Sequence, residues 1–166
     1  MTPQLGEGFA GSGADAAHVN TVLGLRDGPV GTAWATALAS PSAGHVPFVV
    51  VVRPNLPVVP FTLFVNKAAI VDDRHGTLTW GAAQAGVAAG VGRAFREGVF
   101  GADPRDLALI AAVWVNPAAA DEEAVFANNT AATHAALVMG TARGPSLDEL
   151  RAALVADPAN PYFRTT

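Results

Sequence analysis

Few residues in this chain can do chemistry near neutral pH. Cysteine is absent, which excludes disulfides, thiolate nucleophiles and cysteine-zinc sites. The histidines are His18, His45, His75 and His134, and no pair has the HxH or HxxxH spacing of a metal site. What remains is His18, Lys67, Gln84 and the acids near them. A histidine, with an ordinary pKa of about 6.5, can hold or give a proton near neutrality. Lys67 becomes a Schiff-base nucleophile only where burial depresses its pKa. Otherwise its ammonium recognises a polar ring or a carbonyl. Gln84 carries both a donor and an acceptor, which suits the edge of an amide-like heterocycle. Each has a plain structural alternative. A lone strand histidine packs, a lysine at a strand end snorkels, and a glutamine in a first helical turn is an ordinary polar residue.

Lys67 lies in the most distinctive segment, PNLPVVPFTLFVNKAAIVDD (residues 54–73). Pro54, Pro57 and Pro60 stiffen the backbone, because each fixes φ and removes a donor. An apolar β-rich run follows, interrupted by Asn66-Lys67. A polar pair in a run that should be buried needs a reason, and a site wall is one. Gln84 stands near the start of a long Ala- and Gly-rich helix. His18 and Asn20 share one face of a strand, since strand side chains alternate.

The elements that must hold these residues follow from periodicity. Strands are expected at 5–10, 17–25, 46–52, 61–71 and 106–115. The apolar run 46–52 reads as a central buried strand. Helices are expected at 31–40, 80–100 and 121–143, with a short one at 147–155. Trp34 and Leu38 share a side of the first helix. Gly86, Ala89 and Gly90 let another backbone approach the second, and Glu97-Gly98 caps it. The acidic run 121–123 suits the start of the third. His45 and His75, in a loop and a charged turn, are expected in solvent, and His134 sits mid-helix. The order β-β-α-β-β-α-β-α predicts an α/β sandwich with one mixed sheet and helices over it. GEGFAGSG (residues 6–13) does not open a helix after a long strand, so it is not a dinucleotide loop.

At 166 residues the chain is read as one domain with a tail. It is 51% hydrophobic and only 14% charged, enough for a real core with apolar surface left for subunit contacts. A net charge of −4 without a basic cluster argues against nucleic acid as a partner. No signal peptide pattern opens the sequence, and no apolar run reaches membrane-spanning length. A cytoplasmic protein without a membrane partner is the expectation.

Four ordered blocks carry a resemblance. They are GEGFAGSGADAAHVNTVLGLRDGP, PNLPVVPFTLFVNKAAIVDD, WGAAQAGVAAGV and, most weakly, AAADEEAVFANNTAAT. In this order and spacing, over about residues 6–143, they resemble the formaldehyde-activating enzyme family, the tetrahydromethanopterin hydro-lyases. The resemblance implies a two-layer α/β (α+β) sandwich like domain 2 of ribosomal protein S5, over residues 1–145, with 146–166 as a C-terminal extension. It implies a homopentamer with pterin sites between neighbouring subunits. Its partners would be formaldehyde and a reduced pterin, with tetrahydromethanopterin as co-substrate and no tightly bound cofactor or metal.

The implied reaction condenses formaldehyde with tetrahydromethanopterin to methylene-tetrahydromethanopterin and water. His18 matches the family's proton donor. Lys67 and Gln84 match pterin-contacting positions in identity, and Val49 keeps the apolar character of another. Asn20 replaces an aspartate usual in the family, Ala69 replaces a small hydroxyl residue, and Ser12 stands where the family has an acid. A carboxylate beside His18 would raise the histidine's pKa, and asparagine does not. These departures leave a second expectation open: a divergent paralogue that binds or senses formaldehyde or another reduced pterin without catalysis.

Overall fold

In a computed structural model of the chain, residues 1–101 and 103–155 are described. A five-stranded mixed sheet carries the fold. Its strands are β1 (Gln4–Ala10), β2 (Ala17–Leu25), β3 (Phe48–Val49), β6 (Phe61–Asn66) and β7 (Leu107–Trp114), in the order β1-β2-β7-β6-β3. Neighbours run antiparallel except β6 and β7, which are parallel. The short strands β4 (Val51–Arg53) and β5 (Leu56–Pro57) form a separate hairpin. Asn55 turns that hairpin with a φ of 65°, a left-handed conformation that asparagine tolerates.

The helices are α1 (Pro29–Ala39), α2 (Asp73–Thr77), α3 (Gln84–Arg96), α4 (Glu122–Thr141) and α5 (Leu147–Val155). A π-helical stretch, Leu78–Ala83, joins α2 to α3. The helix expected at 80–100 therefore starts earlier. The Asp72 carboxylate caps its true beginning by accepting from the His75 N–H at 2.7 Å. The expected extension 146–166 includes α5, and its residues from 156 lie outside the described residues.

Alternation sorts the sheet into two faces. On β2, Ala17, Val19, Thr21 and Leu23 are buried, and His18, Asn20 and Val22 are half-buried on the opposite side. The first face meets α4 and, through the shared core, Val87, Val91 and Ala94 of α3. The two helices sit close because glycines meet carbonyls between them. A Cβ at Gly86 would press on the Phe126 carbonyl, and one at Gly90 on that of Thr130. Phe48 and Phe64 stack on this face with centroids 5.0 Å apart. Among the described residues the second face carries α1, whose Val30 seats on Gly24 near the far end of β2.

Four expectations change. The run 46–52 is neither one strand nor central. It breaks at Val50 and lies at the sheet edge, its apolar character serving the Phe48–Phe64 stack and the Val50 core contact instead. The strand expected at 61–71 stops at Asn66. The buried Asn66 amide donates to the carbonyls of Gly44 (2.7 Å) and Ala68 (2.8 Å), which turns the chain and ties the preceding loop to it. His75 is buried rather than solvated. The Val71 N–H donates to its Nδ1, so Nε2 carries the hydrogen that meets the Val115 carbonyl at 3.1 Å. His45 is half-buried, its Nδ1 2.8 Å from the Asn66 carbonyl oxygen. Among the described residues no helix is long and apolar enough to cross a membrane.

Candidate functional site

The topology brings distant residues to one end of the second face. β2 begins where the parallel pair β6 and β7 ends, so His18 lies opposite Trp114 and near the chain leaving β6. Lys67 is the first residue past β6 and keeps the ladder, donating its backbone N–H to the Val113 carbonyl at 2.8 Å. Asn66 points into the first face, so Lys67 must point into the second. The interruption in that apolar run is therefore a switch between faces.

There Lys67 Nζ donates to Asn20 Oδ1 at 2.8 Å and lies 3.1 Å from His18 Nδ1. Glu7 completes the group from β1, whose register sets it against Asn20, and its Oε1 is 3.0 Å from His18 Nε2. Sequence reading missed Glu7. The signal was present, because Glu7 is the one polar member of the exposed face of its strand, but which strand it pairs with is not local information.

The electrostatics follow from burial. The His18 side chain is 22% exposed, so it can be reached from outside while being largely desolvated. Burial is the main cause that lowers its pKa, the Lys67 charge adds to this, and Glu7 opposes both. Burial also lowers the pKa of Lys67, again partly opposed by Glu7. When Lys67 is charged it donates to Nδ1, so the ring hydrogen stands on Nε2 toward Glu7. When the amine is neutral, the imidazolium can donate to both neighbours. One proton can therefore pass between two nitrogens across 3.1 Å.

The other expected site residues do not join this cluster within one chain. Val49 pairs with Leu63, four positions before Lys67, which is about 13 Å along the strand. It lines a 460 Å³ pocket under α1 with Trp34, Phe61 and Arg26. Gln84 sits at the sheet edge, where its Oε1 accepts from the Val51 N–H at 2.8 Å. With Trp80, Phe48 and Val46 it borders a cleft of 500 Å³. The exposed Trp80 lies within the π-helical stretch that leads into Gln84, and such stretches recur at functional sites. Ala69 is exposed beside Gly44, and Ser12 precedes a short 3-10 turn.

The sequence model of the formaldehyde-activating enzyme family matches residues 5–157. The chain belongs to the formaldehyde-activating enzyme family. It is 37% identical over 147 residues to the bifunctional enzyme Fae/Hps of Methanoculleus marisnigri, covering 88% of this chain and 37% of the relative. Similar matches are the bifunctional enzymes Fae/Hps of Methanosphaera stadtmanae (36% over 150 residues, 90% and 37%) and Methanosarcina mazei (37% over 146 residues, 87% and 37%). The chain thus spans a little over a third of the length of these curated relatives. Family members are named for activating formaldehyde, and the cluster of an amine, an imidazole and a carboxylate has the groups that such chemistry uses.

Proposed function

We propose that this chain condenses formaldehyde with a reduced pterin, tetrahydromethanopterin, to give the methylene-bridged pterin and water. The observation that carries the reading is the Glu7–His18–Lys67–Asn20 cluster on the second sheet face. A pterin ring nitrogen attacks formaldehyde and forms a carbinolamine. Hydroxide is a poor leaving group, so the step needs a proton, and His18 is the group beside it. General acid help of this kind supplies about 10²–10⁴-fold, and holding the labile adduct in one geometry adds to it. Lys67, Gln84, Val49, Asn20 and Ala69 are the pterin-contacting positions in this reading. Lys67 and Asn20 meet within one chain, and the distance of Val49 and Gln84 from them fits a ligand held between neighbouring copies in a homopentamer. The exposed Leu5 and Phe9 beside the cluster would supply apolar contact area.

The replacement of the family's aspartate by Asn20 favours the second reading, a non-catalytic binder. Glu7 weighs against it, since a carboxylate already meets the imidazole at 3.0 Å. Stopped-flow mixing of formaldehyde with tetrahydromethanopterin, with and without protein, separates the two. The enzyme reading expects acceleration over the spontaneous reaction. Tight pterin binding with an unchanged rate would establish the binder.

Glu7 acts through His18, so Glu7→Gln has a defined signature. Glu7 raises the histidine's pKa, and its loss lowers that pKa further. Less His18 is then in the acid form at any pH above the new value. The rate profile should move to lower pH, with kcat near neutrality down by about tenfold, the worth of one charge-assisted hydrogen bond. KM for the pterin should stay constant. A uniform loss with no shift of the profile would remove Glu7 from this role.

A further inference from the structure

Lys67 is the only lysine in the chain, and the other nine basic side chains are all arginines. Among the described residues arginine supplies the surface ion pairs Arg93–Glu97, Arg105–Asp103 and Arg151–Asp148. A guanidinium is never deprotonated in a protein, whereas an amine can present a lone pair. The one amine side chain stands half-buried in the site, with an imidazole nitrogen 3.1 Å from its own nitrogen. A cation that only recognised the pterin would not require an amine.

We propose that Lys67 is a covalent nucleophile that captures formaldehyde as an iminium and passes the carbon to the amine carrier. The inference rests on the formaldehyde reading above and changes the role of Lys67 within it. Asn20 Oδ1 accepts one Lys67 hydrogen and so orients the nitrogen. Asparagine is also better suited here than a carboxylate, which would favour the charged, unreactive ammonium. Burial in the site already lowers the lysine's pKa, the activation such amines require.

The step balances as follows. The neutral Lys67 nitrogen forms a bond to the formaldehyde carbon, the carbonyl π pair moves to oxygen, and the amine's proton follows it there. The carbinolamine hydroxyl then leaves as water on a proton from the His18 imidazolium, as the nitrogen lone pair closes the C=N bond. A carrier amine adds to the iminium carbon and gives its proton back to His18. The bond from carbon to Lys67 breaks, and the departing nitrogen recovers the proton from the adjacent ring. The carrier's second amine closes the methylene bridge and gives its proton to His18, which restores the imidazolium. The formaldehyde oxygen leaves as water with one hydrogen from Lys67 and one from His18, the carrier's two N–H protons replace them, and Lys67 is regenerated.

Reductive trapping tests this without any pterin. The protein is treated with formaldehyde and cyanoborohydride, and methyl groups are mapped by peptide mass. With one lysine, only Lys67 and the α-amine compete. On ordinary reactivity an α-amine outcompetes a lysine side chain. The expected result is methylation first at Lys67, slowed about 10²-fold in His18→Asn, where the acid is gone. Methylation confined to the α-amine would overturn the proposal. The second arm is Lys67→Arg, which keeps the charge and removes the lone pair. Condensation with tetrahydromethanopterin should fall at least about 10²-fold. Acceleration that survives in Lys67→Arg removes the nucleophile and leaves the pterin reading standing. Trapping at Lys67 with no acceleration of pterin condensation does the reverse. The wild-type trapping arm does not depend on any variant folding.

Discussion

His18→Ala is expected to cut the acceleration of formaldehyde condensation by about 10²–10⁴-fold while the sheet stays folded. The size follows from what is removed. In the proposed reaction His18 would deliver the proton to the leaving hydroxyl, and its Nδ1 lies 3.1 Å from the Lys67 nitrogen. Water would have to replace it at the same point, without the orientation that Glu7 imposes on the ring. Lys67 and Asn20 remain, so binding and positioning persist and some acceleration survives. The fold survives because His18 projects from the second face, while its strand neighbours Ala17 and Val19 are fully buried on the first. The check is single-turnover condensation beside far-UV circular dichroism and a measure of assembly. A folded variant that keeps the wild-type acceleration would show that His18 is not the acid.

Gly8→Val should be strongly damaging to stability. β1 lies directly under α4, and a Cβ on Gly8 would land on the Ala132 carbonyl, just as one on Gly6 would land on that of Ala136. Neither obstacle is the flexible end of a side chain. Both are helix backbone, so the whole of α4 must move away from the sheet. Overpacking of a rigid core costs about 3 kcal/mol at the upper end of its usual range. That is a large part of a typical stability of about 5–15 kcal/mol. A melting temperature lower by roughly 6–12 °C, or failure to fold, is the expected result. Gly81→Ala is the control, because a Cβ there has nothing within 4 Å. Equal melting temperatures for Gly8→Val and wild type would mean that α4 does not pack this closely on β1.

The same glycines bear on how the N-terminal segment is read. As a motif, GEGFAGSG invites a phosphate-loop interpretation. Gly6 and Gly8 instead alternate with Glu7 along β1, glycines toward the helix and the carboxylate toward the site. One strand thus serves packing on one side and carries a residue of the candidate site on the other. The segment around Lys67 follows the same rule. Asn66 closes the strand on the core side, and Lys67 turns to the open face.

Local patterns were enough to establish an α/β chain with a mixed sheet, the placing of most helices, and the shared face of His18 and Asn20. Those depend on periods of 2 and 3.6, which a few neighbouring residues reveal. The ordered blocks were enough to point to the family. Partnership was not legible, because it depends on register and on strand order. Glu7 reaches His18 only because β1 pairs with β2 in one register. Lys67 reaches it, 49 positions along the chain, only because β6 runs parallel to β7 while β2 runs against it. The burial of His75 depended on the Val115 carbonyl, 40 positions away, and the edge placement of Phe48–Val49 depended on which strand β6 chose as its second neighbour. Alternation is a property of each strand alone, and it fixed which residues face the site. Long-range pairing is a property of the whole chain, and it decided which of them meet.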